Sequence, residues 1–446
     1  MIILGLGCNI GDRLANLRIA LQQLSLNSSL KIQRVSPVYE SDALLLPEAP
    51  EEWNLPFLNL AIKITTTLTP EQLLKAIKDI EVAMGRVAKF KWSPRVIDID
   101  ILTWGSENYR LEGLTIPHRS LLERPFALWP LADLEPSWRY CGLHGAQVGK
   151  TAEYLATMFG SRFDGKAPLG TRQLAHRVDT PYVMGIVNLT TDSFSDGGKY
   201  LDLAAAYEQV QLLFESGADV IDVGAEATGP EVIKAPSVEE EWRRLQPFLD
   251  RWNPYWQDKR FRPKLSVDTR RPQIIERLLP HGVDIYNIIQ GLDSSTMVDL
   301  LKESTAKIIY MHSLGLPGSS KMTLSDDADV VPLVYAWGAR QLESLIAQGI
   351  GRERLIFDLG IGFGKNSVQS MELLRNIEKF HELGVRILVG HSRKSFLNRY
   401  TNLPPGERDI ETAALSWHCH RGGVSYLRVH NVDYTLRVLK MLAAVM

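Results

Sequence analysis

Apolar residues recur along this chain at two periods, and the changes of period mark out its elements. Ile2, Ile3, Leu4 and Leu6 open it as a strand that runs into a turn over Gly7–Asp12. Leu14, Leu17, Leu21 and Leu24 then fall three and four apart, the spacing of one helix face. A strand is expected from about Lys31 to Tyr39. Another covers Leu58 to Thr65, where Leu58, Leu60, Ile62 and Ile64 alternate with Asn59, Ala61, Lys63 and Thr65. Thr69-Pro70-Glu71-Gln72 reads as a helix start: an N-cap, a proline at the first helical position, and a capping box closed by Gln72. That helix should run to about Met84 and stop at Gly85. Ile97, Ile99 and Ile101 then alternate with Asp98, Asp100 and Leu102, a further strand. The order βαββαβ predicts a ferredoxin-like α+β sandwich.

The second half repeats a different unit. Short strands are expected at Val183–Leu189, Val220–Ala225, Lys264–Thr269, Asp284–Ile289, Lys307–Ser313, Leu355–Gly360, Arg386–Ser392 and Tyr426–Val432, each followed by a helical pattern. Strands alternating with helices pair in parallel, and eight of them have the count to close a (β/α)8 TIM barrel. Between the halves, the stretch from Asp164 to His176 has no periodicity and carries two glycines and a proline, so it reads as a linker. The expected organisation is a first domain over residues 1–163, a linker over 164–176 and a barrel over 177–446.

Composition narrows the classes of function. A formal net charge of −2 and a pI near 6.6, with no basic run, give no footing for nucleic acid or an anionic membrane surface. Anionic ligands would therefore be held by local cations. No apolar run approaches membrane-spanning length, and the opening strand lacks the basic start of a secretory signal. Cys8, Cys141 and Cys419 are scattered and form no CxxC, which fits a reducing compartment, the cytoplasm.

Asp98 and Asp100 are two apart on one strand, so their carboxylates share a face. Such a pair repels itself unless a cation stands between, and hard oxygen ligands suit Mg²⁺ shared with phosphates. An ordinary solvated strand face would also carry two Asp. Cations bracket this pair, however: Arg86, Lys89, Lys91 and Arg95 before it, His118, Arg119 and Arg124 after. That surround fits a metal–triphosphate site. Gly145–Thr151 is one residue short of a phosphate-binding P-loop between its glycines and is rejected.

Leu58-Asn59, Ile80-Glu81, Gly85-Arg86-Val87, Trp92-x-Pro94-Arg95-x-x-Asp98-x-Asp100, Pro117-His118, Arg124-x-Phe126 and Leu128-Trp129-Pro130-Leu131 together resemble hydroxymethyldihydropterin pyrophosphokinases. The resemblance implies that Asp98 and Asp100 hold Mg²⁺ bridging the co-substrate ATP. It implies ATP contacts from Glu81, Arg86, Trp92, Arg95, Thr115, His118 and Arg124, with Arg95 and His118 also catalytic. Phe57 and Phe126 would sandwich the pterin, with Asn59 and Trp92 beside it. Cys8 stands where the family usually has Ser, and Lys78 and Gly113 stand where some members have Gln and Arg.

In the second half the polar residues collect where the strands end: Asn188, Asp222, Asp268, Asn287, His312, Asp358, Ser392 and His430. A barrel delivers those ends to one mouth, its catalytic face. Any one of them could be a loop or cap residue; eight together point to a site. Gly390–Ser395 follows strand seven at an expected helix start, and Arg428 and His430 share a face of strand eight. Cations there with helix N-termini suit a phosphate group. Met184-Gly185-Ile186-x-Asn188, Asp192-Ser193-Phe194-Ser195-Asp196-Gly197-Gly198, Ile221-Asp222-Val223-Gly224, Ser266-Val267-Asp268-Thr269, Phe363-Gly364-Lys365, Ser392-Arg393-Lys394-Ser395 and Arg428-Val429-His430 resemble dihydropteroate synthases. The resemblance implies Mg²⁺ on Asn188, and pyrophosphate held by Thr228, Arg428 and His430. It also implies a substrate site of Asp222, Asp268, Asn287, Met311, Asp358, Phe363, Gly390 and Lys394, 4-aminobenzoate as second substrate, and a homodimer through the barrel. Gly229 stands where that family carries Arg; Lys234 and Arg271 are candidate replacements. Two other readings of the barrel are a pterin-binding methyltransferase module and a non-catalytic regulatory domain.

Overall fold

The computed structural model describes residues 1–86, 93–189, 203–226, 235–257, 259–289, 292, 294–314 and 323–445. They form two compact units, Met1–Asp179 and Thr180–Met446.

The first unit is built on an antiparallel sheet. In chain order its elements are β1 (Ile2–Cys8), α1 (Arg13–Leu26), β2 (Leu30–Val35), β3 (Tyr39–Ser41), β4 (Phe57–Thr66), α2 (Pro70–Ala83), β5 (Asp98–Trp104), β6 (Tyr109–Leu111), β7 (Leu114–Ile116), α3 (Pro125–Leu134), α4 (Ala152–Thr157) and β8 (Arg172–Gln173). The sheet runs β5-β1-β4-β3-β8, with β2 also on β4, while β6 and β7 make a separate two-stranded ribbon. The helix start at Thr69 forms as its sequence dictates. Thr69 Oγ1 accepts from the Gln72 N–H, and the Gln72 side chain accepts from the Thr69 N–H.

Strand parity divides this sheet into two cores. Leu4, Leu6, Leu58, Leu60, Ile99 and Ile101 pack on Leu17, Leu24, Leu73 and Ile77 of α1 and α2. The opposite parity puts Ile3, Tyr39, Ala61 and Leu102 against Trp129 and Leu131 of α3 and Leu155 of α4. The ferredoxin-like half is therefore covered on both faces. α3 is buried nearly all round and contains Pro130, so it shows no amphipathic period by which its sequence could announce it. The single strand expected over Lys31–Tyr39 breaks into β2 and β3 at Ser36-Pro37, where Ser36 bonds both backbone groups of Ala61 on β4 through its N–H and Oγ.

The stretch expected as a linker belongs to the first unit. Within it β8 pairs with β3, Tyr39 opposite Gln173 and Glu40 opposite Arg172, and just beyond it Val178 is buried in the α1 and α2 core. Its few apolar residues give no period because a two-residue strand is too short to show one.

The second unit is a closed barrel of eight parallel strands: β9 (Tyr182–Asn188), β10 (Val220–Gly224), β11 (Lys264–Asp268), β12 (Ile285–Ile288), β13 (Lys307–Met311), β14 (Leu355–Asp358), β15 (Arg386–Val389) and β16 (Tyr426–Val429). Helices α5 (Leu203–Glu215), α6 (Val238–Trp256), α7 (Pro272–Leu278), α8 (Ser295–Lys302), α9 (Val330–Ala347), α10 (Ser367–Arg375), α11 (Asp409–Arg421) and α12 (Val432–Ala444) follow the strands in turn. After β15 the chain takes a 3₁₀ turn, Ser395–Arg399, before α11, so the α-helix start expected at Gly390–Ser395 is absent. Arg408 and Asp409 explain the detour: Arg408 bonds the carbonyls of Arg393 and Lys394, and Asp409 takes the Arg393 guanidinium, which fixes the loop in place of a helix.

The barrel interior is stacked in layers. Met184, Val220, Ile285, Ile309, Ile356, Leu388 and Tyr426 plug its middle. Side chains two apart on a strand point the same way. Two residues on from the plug, toward the C-terminal ends, stand Ile186, Asp222, Asn287, Met311, Asp358, Gly390 and Arg428. The apolar plug closes the floor, and the polar layer above it opens to the mouth.

Candidate active sites

In the first unit, β5 turns Asp98 and Asp100 to the α3 side of the sheet while Ile99 and Ile101 enter the opposite core. The neighbouring strand β1 sets Gly7 beside Asp98 and Gly5 beside Asp100. These glycines keep the floor of a cavity clear. A Cβ on Gly7 would lie 2.9 Å from Asn59 Oδ1, and one on Gly5 would lie 3.1 Å from Leu102. Across that floor, β4 presents Asn59 and Phe57, and β3 presents Ser41, whose Oγ accepts from Asn59 Nδ2 at 3.0 Å. His118, Arg124 and Phe126 close the remaining wall, with the Arg124 guanidinium 5.8 Å from the Phe126 ring centre.

The charges in this cavity are paired in a definite way. Asp98 receives Arg86 at 2.7 Å on one oxygen and Arg95 at 2.9 Å on the other. Buried Glu81 holds Arg86 from behind and also accepts the Ile99 N–H at 2.7 Å, tying α2 to β5. Asn9 fixes Arg95: its Oδ1 accepts the Arg95 N–H at 2.7 Å and its own N–H donates to the Arg95 carbonyl. Among the described residues no guanidinium pairs with Asp100 in this way. Removal from water, with Asp98 beside it, pushes its carboxyl up to about 6. His118, 3.9 Å from Asp100, is pushed down to about 4 by burial and by Arg124 and Arg119, so its ring is neutral at pH 7.

In the second unit, Arg428 crosses the barrel mouth. Its Nε donates to Asp222 at 2.6 Å and its NH2 to Asp268 at 3.0 Å. Asp222 is fully buried and also accepts from Ser266 Oγ and Asn287 Nδ2. Its partners leave it to anchor Arg428 from below. Asp268 is pushed up to about 7 by burial, with Asp222 adding to the rise and Arg428 opposing it. Asp358 is raised by burial too, and one of its oxygens accepts the Gly360 N–H at 2.8 Å. Lys394 donates to the Ile361 carbonyl at 2.7 Å, lies 4.4 Å from the Phe363 ring centre, and is pushed down to about 8 by burial. The loop that carries these two partners is pinned by Lys365, whose ammonium reaches the carbonyls of Gly360 and Phe363 and the His312 ring within 2.9 Å. Gly360 is required there: a Cβ would stand 1.9 Å from the His312 carbonyl oxygen. His430 Nδ1 and Ser392 Oγ are 2.9 Å apart beyond β16. Asn188 is exposed at the end of β9.

The family of pterin binding enzymes matches residues 184–430, and the family of 7,8-dihydro-6-hydroxymethylpterin-pyrophosphokinases matches residues 3–136. A folate synthesis bifunctional protein of Chlamydia muridarum is 39% identical over 445 residues, covering 98% of this chain and 96% of its own. The chain belongs to the bifunctional folate synthesis family. Solved structures similar to the barrel of this family member include two dihydropteroate synthases. That of Anaplasma phagocytophilum, with bound 6-hydroxymethylpterin-monophosphate, is 36% identical, covers 60% of this chain and all of its own, and has a TM-score of 0.54. That of Xanthomonas albilineans, with 4-aminobenzoic acid, is 34% identical, covers 60% of this chain and 93% of its own, and has a TM-score of 0.54.

Of the residues singled out in this folate synthesis chain, Phe57, Asn59, Arg95, Asp98, Asp100, His118, Arg124 and Phe126 line one cavity. Arg86 reaches it through Asp98, and Glu81 stands behind Arg86. Thr115 is exposed on the β6–β7 ribbon, outside the cavity lining. In the barrel, Asp222, Asp268, Asn287, Asp358, Lys394 and Arg428 are bonded or packed into one cluster, with Met311 and Gly390 in its wall. Arg271, a candidate replacement for the loop cation, is held between Glu241 and Glu226. Trp92, Thr228, Lys89, Lys91, Gly229 and Lys234 lie outside the described residues. Gly5, Gly7, Asn9 and Ser41 were not singled out. Alternating glycines in a strand facing two Asp carry a signal only once the β1–β5 register is known. Among the described residues no group of three or more His, Cys, Asp or Glu forms a metal cluster, and no helix is long and apolar enough to cross a membrane.

Proposed function

We propose that the first unit moves the β,γ-pyrophosphoryl group of ATP to the hydroxymethyl oxygen of 6-hydroxymethyl-7,8-dihydropterin, releasing AMP. The barrel then joins that ester to 4-aminobenzoate, giving 7,8-dihydropteroate and pyrophosphate. The observation that carries the first step is the face shared by Asp98 and Asp100 over a glycine floor, with cations on one side and an amide and aromatic rings on the other. The residues present suit Mg²⁺: a carboxylate pair in which Asp100 is raised toward neutrality wants a cation, and two carboxylates plus phosphate oxygens are an ordinary Mg²⁺ set. Bound there, with Asn188 as its protein ligand in the barrel, Mg²⁺ would screen phosphate charge during transfer. Arg86 and Arg95 now neutralise Asp98; on ATP binding they would turn to phosphate oxygens, which they can also bind bidentately. Phe57 and Phe126 would hold the pterin ring, and Asn59, oriented by Ser41, would read its edge.

In the barrel, Asp268 and Asp358 face the mouth and would accept from the donor-rich amino-pyrimidinone edge. Arg428, aimed by Asp222, and His430 would take the leaving pyrophosphate, and Lys394 would lie beside the pterin. As the C–O bond to pyrophosphate breaks, Arg428 and Lys394 stabilise the departing charge while His430, pushed down to about 3 by burial and so neutral, serves as a hydrogen-bond partner, and the 4-aminobenzoate nitrogen bonds to the same carbon and gives up a proton. The free cysteines support a reducing, cytoplasmic setting. Exposed Ile410, Tyr434 and Met441 on α11 and α12 support a homodimer through the barrel.

The test is purified protein with hydroxymethyldihydropterin, ATP, Mg²⁺ and labelled 4-aminobenzoate. Label should enter dihydropteroate only when all four are present. Pyrophosphate ester accumulating with no labelled product would leave the barrel a methyltransferase module or a non-catalytic domain. Failure to form the ester would remove the assignment of the first unit.

A further inference from the structure

The segment Leu169–Gln173 reads in the sequence as part of a tether, yet its contacts run to the wall of the first cavity. β3 is only three residues long, and β8 is its second neighbour, so β3 is held on both edges. The side chain of Glu40 on β3 is 1% exposed, and Arg172 on β8 supplies a cation to it through Nε at 3.2 Å and NH2 at 3.1 Å. Directly after β3 the Asp42 N–H donates to the Leu169 carbonyl at 2.7 Å. Gly170 takes a positive φ of 56° at this point, and a Cβ on it would lie 3.1 Å from Asp42 Oδ2. The residues gripped in this way, Ser41 and Asp42, line the cavity, and Ser41 orients Asn59.

We propose that Leu169–Gln173 is a positioning element of the first active site, with Arg172 its principal positioning residue: it fixes β3 and so sets Ser41, Asp42 and Asn59 against the pterin. The proposal rests on the cavity being the pterin site. Loss of the Arg172 cation removes a charge-assisted partner of the buried Glu40 carboxylate, which slackens the hold on β3 and loosens the Ser41–Asn59 pair. Among the described residues, no hydrogen bond joins this segment to Asp98 or Asp100 on β5, the side of the cavity given to ATP.

The experiment uses the full-length protein and measures KM for hydroxymethyldihydropterin and for ATP separately, with calorimetry as a check on folding. Arg172→Ala should raise the pterin KM about tenfold. Its KM for ATP, and the KM for 4-aminobenzoate in the second reaction, should stay within about twofold, and Arg172→Lys should recover most of the loss. Gly170→Ala pushes on Asp42 from the other side and should shift the pterin KM in the same direction; it decides the matter if Arg172→Ala fails to fold. A pterin KM unchanged in both variants, while Asn59→Ala raises it, would overturn the proposal, as would equal rises for pterin and ATP. If Asn59→Ala also leaves the pterin KM unchanged, the pterin reading of the cavity fails instead.

Discussion

Asp100 holds stability and activity in opposition. Its carboxyl is pushed from 3.8 up to about 6 in the folded chain, by removal from water and by Asp98. A raised folded value means that the stability tied to its protonated form is complete below about 3.8 and is lost as pH climbs through about 6. Asparagine imitates the protonated form at every pH. Asp100→Asn should therefore unfold at a higher temperature than wild type near pH 8, with the gap closing near pH 4. The same change should lower pyrophosphoryl transfer by about a thousandfold, the cost of several kcal/mol of lost ligand. Calorimetry of the ligand-free protein across that range, beside the rate at saturating Mg²⁺, checks both halves. A stability gap independent of pH, or more than a tenth of the wild-type rate, would contradict the assignment. Residues of this kind were legible because a carboxylate pair on one strand face is local. Asn9, which fixes Arg95 from far along the chain, was not, because only the folded backbone brings the two together.

The eight barrel strands were legible at their starts, each within one residue, while their expected ends ran one to three residues past the strands. Each is buried on most of both faces, so it appears as a short apolar run, and nothing in such a run marks where the ladder stops. The elements that escaped are those whose burial erases a period, α3, or whose length is too short to have one, β8. β1 lies between these cases: its apolar run announced a strand, but nothing announced that Gly5 and Gly7 are the floor of a site. That role predicts the effect of one methyl group. In Gly7→Ala the new Cβ would stand 2.9 Å from Asn59 Oδ1, a contact that the Asn59 side chain must relieve by turning away from Ser41. The pterin KM should rise several-fold while the ATP KM holds, and the double variant Gly7→Ala with Asn59→Ala should lose little more than either alone. Additive losses in that cycle would show that Gly7 acts through something other than Asn59.

On the scale of the whole chain, every residue of the two cores in the first unit precedes Asp179, and every residue of the two barrel cores follows Thr180. Each unit thus buries a core of its own, the condition for folding and working separately. The intermediate is a small pyrophosphate ester, able to diffuse in water. Two damaged chains should then complement each other. Asp98→Ala removes the carboxylate that gathers Arg86 and Arg95 and leaves the barrel intact. Lys394→Ala removes the cation over Phe363 and leaves the first cavity intact. Neither protein alone should carry hydroxymethyldihydropterin through to dihydropteroate. Mixed, they should restore product after a lag, during which free ester builds up to the concentration the barrel needs. Raising total protein at a fixed ratio should shorten the lag, because transfer between chains depends on concentration. If the mixture stays inactive while each surviving half-reaction runs at its normal rate, the ester passes within one chain.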